Sequence, residues 1–386
     1  MRGAAPVCAL LFAGAVVGCT DGSDSITDPG GDPGDDPRAL QILDLSATPG
    51  RTTSDLWVHG NHAYTGTWSR AGSATEHGNA LFVWDVSDPA DPILTDSVIV
   101  DARVVNDVKV SPDGTLAVLT HEGSSDGLNG ITLLDLQEPG HPEVITRYTQ
   151  NIEGGVHNTW LENDYVYVVG HHEEGLRIVD ITNPGTPVEV AHYYAGESFV
   201  HDVYVEDGLA FVSHWNAGLA ILDVGNGVAG GSPVMPVEVS RTLLPGDQVH
   251  NAWYWSDAGY AFVGEEDFIA PGIMRVLDVS DPAQPVVVAT YGVPGDTPHN
   301  FWLDEGNQIL YLAWYTRGVR ALDVSGELSG DLAEEGREVA VGTYGPGDGW
   351  CASGVGPTCT WAPQVHDGHL FLSDIRHGLV TAELAP

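Results

Sequence analysis

One phrase recurs along this chain: an apolar strand that ends in an acid and runs into a turn. It reads LFVWDVSDPADP, ITLLDLQEPGHP, LRIVDITNPGTP, LAILDV, MRVLDVSDPAQP and VRALDVS, with GLVTAEL in the same place near the end. The closing acids are Asp85, Asp135, Asp180, Asp223, Asp278, Asp323 and Glu383, spaced 50, 45, 43, 55, 45 and 60 residues apart. A repeat of that length with several strands per unit is the mark of a β-propeller blade, a unit that buries its apolar faces against its neighbours. Valine-rich runs separated by Gly, Pro, Asn and Asp clusters supply short strands and tight turns, and no long segment has a 3.6-residue period. The fold class is all-β.

Each unit has the same internal order: a strand opening with a polar pair, a strand such as LAFVSH, the aspartate-ended strand, and an outer strand such as PVEVAHYY. The opening pairs are Ser54-Asp55, Asn106-Asp107, His157-Asn158, His201-Asp202, His250-Asn251 and His299-Asn300, with Trp361-Ala362 at the equivalent place. This predicts a seven-bladed β-propeller over residues 39–386, at about 50 residues per blade. The last unit stops after its third strand, whereas ALQILDLS precedes the first polar pair at the interval of an outer strand. The N-terminal strand is therefore expected to complete the last blade, closing the ring and covering two sheet edges.

The aspartate-ended strand and its SDPxxP turn resemble the LVIVD-repeat family of bacterial surface and secreted β-propellers, over residues 40–386. The resemblance implies an architecture and no particular activity. The recurring acids read first as turn formers, since a carboxylate accepts hydrogen bonds from backbone N–H groups just ahead and proline then fixes the turn. Calcium is the second reading, without the dense acid alternation of an EF-hand loop.

Residues 1–18 read as an export signal, with Arg2 before an apolar run from Val7 to Val17 that is too short to span a bilayer. Val16-Val17-Gly18-Cys19 resembles a bacterial lipobox, which makes Cys19 a lipid anchor and the protein a membrane-anchored lipoprotein of the cell envelope. Residues 19–38 hold six aspartates and almost nothing to bury, the composition of a solvated linker. Of four cysteines only Cys351 and Cys359 reach the folded part, and in an oxidising compartment they are expected to pair. With 54 acidic residues against 14 basic ones, the chain has no basic patch for a phosphate backbone, so nucleic acid is excluded as a partner. GNGVAG at 225–230 satisfies GxGxxG, but SPVMP follows where a phosphate-binding helix would begin.

Innermost strands of a propeller surround its channel, so His157, His201, His250 and His299 should form part of a ring. Three readings stand. The ring is a seam, each side chain bonding the next blade. It is a transition-metal site, because imidazoles with carboxylates suit zinc, copper, iron or nickel. Or it borders a ligand rim made by the ends of the second strands, His121, His171, His172, His214, Glu265, Trp314 and Asp374, with Trp68, Trp215, Tyr315 and Trp361 nearby to hold a glycan, a peptide or a small molecule. The expectation is a monomeric binding or interaction module at the cell surface; the alternative is a metal-dependent enzyme, an oxidoreductase among the candidates.

Overall fold

The computed structural model describes residues 37–70, 77–170, 175–194, 196, 199–246 and 248–384. The expected export signal, Cys19 and nearly all of the expected linker lie outside the described residues. Among those described, every regular element is a strand. Among the described residues no helix is long and apolar enough to cross a membrane.

The strands form antiparallel four-strand meanders over 52–99, 108–148, 158–193, 202–242, 249–291 and 301–342. Three further strands follow, Thr360–His366, His369–Asp374 and Gly378–Leu384. Arg38–Ser46 lies antiparallel to the last of these, with Leu40 opposite Leu384 and Ser46 opposite Leu379. Its first residues also run parallel to Glu338–Gly342, with Arg38 opposite Ala340. The strand Arg38–Ser46 thus bridges two neighbouring groups, a link the repeat pattern alone does not contain.

Apolar clusters fill the space between successive meanders. Tyr167 and Ile178 pack with Val203, Val212 and Leu222 of the next meander, and Phe211 and Ile221 pack with Tyr254, Val263 and Leu277 of the one after. Middle strands are therefore covered on both faces, which is why they read as continuous apolar runs rather than alternating ones. Leu40 and Ile42 join Tyr311, Leu372 and Val380 in the same manner at the closure.

The repeated acids turn their oxygens onto the chain. Asp85, Asp135, Asp180, Asp223, Asp278 and Asp323 each accept a bond from the N–H two residues on, at 2.8–2.9 Å. Asp223 also accepts from Gly227, Ala229 and Gly231, so the GxGxxG segment is a loop wrapped around a carboxylate. One oxygen of each of these carboxylates serves its turn.

Glycine opens the aspartate-ended strand because the neighbouring strand leaves no room. Gly218 has φ +82°, and a Cβ there would lie 2.0 Å from the Thr242 carbonyl oxygen. Cys351 and Cys359 form a disulfide with Cα atoms 5.3 Å apart. The bridge closes a small hairpin whose Trp350 stacks on Trp68 at 6.0 Å.

Candidate functional site

The innermost strands begin SDLW, NDVK, HNTW, HDVY, HNAW, HNFW and WAPQ. Successive residues of a strand point to opposite sides, so one register repeated around a channel makes layers. The first layer is an arc in which His157, His201, His250, His299 and Trp361 have consecutive ring centroids 4.5, 4.1, 4.3 and 4.3 Å apart.

Much of this arc is a seam. Ser54 Oγ donates to Val105 O at 2.6 Å, Asn106 Nδ2 to His157 O at 3.0 Å, His201 Nδ1 to His250 O at 3.0 Å, and His299 Nδ1 to Trp361 O at 2.7 Å. A carbonyl only accepts, so His201 and His299 carry their protons on Nδ1 and direct the Nε2 lone pair inward. His157 departs from the pattern. Its Nδ1 meets Glu122 Oε1 at 2.7 Å and its Nε2 faces His201 Nε2 at 3.1 Å.

His250 departs further. It is 1% exposed, and neither ring nitrogen has a hydrogen bond of good geometry among the described residues, although the Asn251 side chain beside it lends its charged form some support. Its Nε2 lies 3.9 Å from Glu266 Oε2, while His299 Nε2 lies 4.0 Å from Glu266 Oε1. Glu266 is buried one residue past the strand Tyr260–Glu265 and accepts a 2.5 Å bond from Tyr315 Oη. Tyr315 holds φ at +37°, a region costly for a bulky side chain. Burial pushes Glu266 up to about 7, takes His299 down to about 3 and holds His250 well below its usual value. Both imidazoles are therefore neutral at neutral pH, and their approaches to Glu266 are not ion pairs. His201, His250 and Glu266 each offer a ligand atom within 4.8 Å of the other two. A void of about 10 Å³, the room of one water-sized occupant, adjoins the four histidines.

The second layer carries charge. Lys109 Nζ reaches Asp55 Oδ2 at 2.9 Å and also donates to Asp107. Thr159 gives Asp107 two more bonds, from N at 2.8 Å and Oγ1 at 3.0 Å. Burial drives Asp55 up to about 8 against the pull of Lys109. Burial opposes the ionised form of Asp107 too, but Lys109 and its hydrogen bonds hold Asp107 below the usual carboxylate range. Desolvation raises Asp202 well above it, although the charge of Lys109 pulls the other way. The third layer is aromatic: Trp160–Tyr204, Tyr204–Trp253, Trp253–Trp302 and Trp302–Trp57 centroids are 4.4, 4.8, 5.0 and 5.7 Å apart. The void beside it is about 50 Å³, well below the 300–1,000 Å³ or so of a drug-sized pocket. The channel is filled by its own side chains.

The residues expected to form a ligand rim are mostly buried. His121, His214, Glu265, Trp314 and Asp374 are all at most 4% exposed, because the ends of the second strands turn inside the sheets. His121 bonds Thr132 Oγ1 at 2.7 Å, Glu265 pairs with Arg275 at 2.7 Å, and Trp314 packs edge-on to Tyr291. Asp374 accepts from the N–H groups of Cys359, Arg376 and His377. Only Trp361 of that set stands in the arc, and Trp215 stacks on His201 at 5.0 Å. His171 and His172 lie outside the described residues.

Burial, aided by the charge of Arg147, takes His121 down to about 4 from 6.5. The folded chain keeps it neutral while the unfolded chain takes up a proton below about 6.5. Its contribution is complete above that pH and is lost as pH falls toward 4, about 3 kcal/mol in all. The stability difference between wild type and His121→Gln, from urea unfolding, should shrink by that amount between pH 7 and pH 4. A difference that stays constant with pH would mean that the imidazole charges inside the fold.

Repeat matching agrees with the geometry. The LVIVD repeat model matches residues 50–100, 153–195, 199–239 and 258–293. The chain carries LVIVD repeats. No curated protein matches it. Among solved structures, the β-propeller domain of Myceliophteria thermophila Cps50 (Swd1) is similar at TM-score 0.61 and 11% identity, covering 90% of this chain and 100% of that one. The computationally designed Ika8 protein is similar at TM-score 0.58 and 11% identity, covering 89% of this chain and 100% of that one. At that identity the likeness establishes the β-propeller fold alone. The LVIVD-repeat propeller described here has two layers that its repeat carries openly, and a Glu266 that no repeat position announces.

Proposed function

We propose that this chain is an exported protein, lipid-anchored at Cys19 to the bacterial envelope through the linker 19–38, whose meanders are seven blades of one ring completed by Arg38–Ser46. Its function is that of a protein-interaction module, and it works through the loops around the histidine end of the channel.

The observation that carries this reading is where the exposed apolar side chains sit. In a meander, the loops after the second and fourth strands emerge on one face and the remaining loops on the other. Leu128, Tyr194, Leu243, Phe268, Ile269, Trp350 and Val355 are all exposed, and all lie on loops of the first kind. Ile269 is 93% exposed. On the opposite face the large exposed apolar residues, Val228, Val234 and Met235, share one loop. Apolar side chains held out by loops on a rigid scaffold are a partner surface, whereas the packed channel leaves no room for a glycan or peptide. The formal charge of −40 favours a partner that is basic around an apolar centre.

The test is in-cell cross-linking of wild type beside a Phe268→Ser, Ile269→Ser, Trp350→Ser variant of unchanged melting temperature. The reading expects a discrete cross-linked species with wild type that the variant loses by about tenfold or more, the scale of losing central apolar anchors. Equal cross-linking of both chains would overturn the loop face as the binding surface.

A further inference from the structure

We propose that His201, His250 and Glu266 bind a divalent first-row transition-metal ion at the histidine end of the channel. This goes beyond the interaction surface and stands on separate observations.

The first is convergence. One ligand atom from each of the three residues lies within 4.8 Å of the other two, and all three side chains are more than nine-tenths buried. Bonds of about 2.0–2.1 Å to a tetrahedral ion set donor separations of about 3.4 Å. The donors need to draw in by at most about 1.4 Å, within the reach of side-chain rotation.

The second is His250 itself. A buried imidazole with neither nitrogen in a hydrogen bond of good geometry is a standing cost, since each lost hydrogen bond leaves an unmet desolvation penalty. A repeat-made seam would have turned its Nδ1 to the next carbonyl, as His201 and His299 do. His250 instead sits between its two neighbouring rings with Nε2 toward Glu266. A cation at that point supplies the partner that the seam does not.

The third is the surrounding support. Metal-binding histidines are ordinarily oriented through their other nitrogen. His201 has this arrangement, Nδ1 bonded to a carbonyl and Nε2 directed inward, and Tyr315 Oη fixes the carboxylate of Glu266. His299 has its Nδ1 bonded likewise and its Nε2 4.0 Å from Glu266. Imidazole-rich donor sets select zinc, cobalt, nickel, copper or iron over magnesium and calcium, which prefer all-oxygen shells.

The experiment uses the purified mature chain stripped with chelator and titrated with Co²⁺ alone, read by visible ligand-field absorption and calorimetry. The proposal expects one Co²⁺ per chain, displaced by Zn²⁺ and retained in excess Mg²⁺ or Ca²⁺. His250→Gln and Glu266→Gln should weaken binding by more than about 100-fold, and Tyr315→Phe by about 10- to 100-fold, the range for an orienting partner. His192→Gln, on an outer strand, should bind as wild type does. X-ray absorption of the wild-type zinc form, which needs no variant to fold, should give at least two imidazoles and a carboxylate oxygen. Absence of stoichiometric binding to folded wild type, an all-oxygen shell, or full binding by both His250→Gln and Glu266→Gln would overturn the assignment and leave His250 bonded to water.

Discussion

Lys109→Met should destabilise the folded chain by about 3–5 kcal/mol, the usual cost of removing one partner from a buried ion pair. Lys109 is 8% exposed and sits between Asp55 and Asp107, carboxylates that belong to adjacent innermost strands. Its ammonium also lies 5.5 Å from the Trp57 ring centroid, so the same side chain ties the acidic layer to the aromatic one. Burial disfavours the ammonium, but the two aspartates together hold Lys109 above its ordinary value. Without it, Asp107 remains ionised where water cannot reach it. Urea unfolding at pH 7 measures the loss. Adding Asp55→Asn and Asp107→Asn to Lys109→Met should return much of it, because the uncompensated charge is then gone. A loss below about 1 kcal/mol would mean that these three groups do little more than a surface ion pair does.

Some of this was written plainly in the chain. The aspartate-ended strand gives the propeller, since its period and its turns are local features repeated in full. The arc of histidines is legible for the same reason: His157, His201, His250 and His299 hold one register, and a register on an innermost strand becomes a ring. The aromatic layer is equally legible. Trp57, Trp160, Tyr204, Trp253 and Trp302 each stand three residues after the first member of the polar pair. Lys109 occupies that position in its own unit, which marks it as a channel residue. Glu266 was not legible, because it lies in a loop of variable length and reaches His250 only through folding. The burial of the expected rim residues has a physical reason. The same end of the second strand that lies near the channel mouth also begins a tight turn into the third strand, and residues such as Asp374 and Glu265 spend their polar atoms on that turn and that neighbour.

Removing Arg38–Ser46 should be the most damaging deletion the chain can suffer. This strand supplies the outer edge for Gly378–Leu384 and runs on to Glu338–Gly342, and its Leu40 and Ile42 cover Leu372 and Val380. A chain beginning at residue 47 exposes two sheet edges and an apolar face together, so it should aggregate or lose its single cooperative unfolding transition. A chain beginning at residue 37 should unfold as the longer chain does. The histidine arc, the carboxylates around Lys109 and the loop face keep their places only while the two ends of the ring stay paired. Native-state hydrogen exchange of the intact chain tests that pairing most directly. If the ring is closed in this way, amides of 40–46 should exchange as slowly as those of 370–373, through the same global opening. Exchange of 40–46 within seconds beside a protected 370–373 would contradict the account.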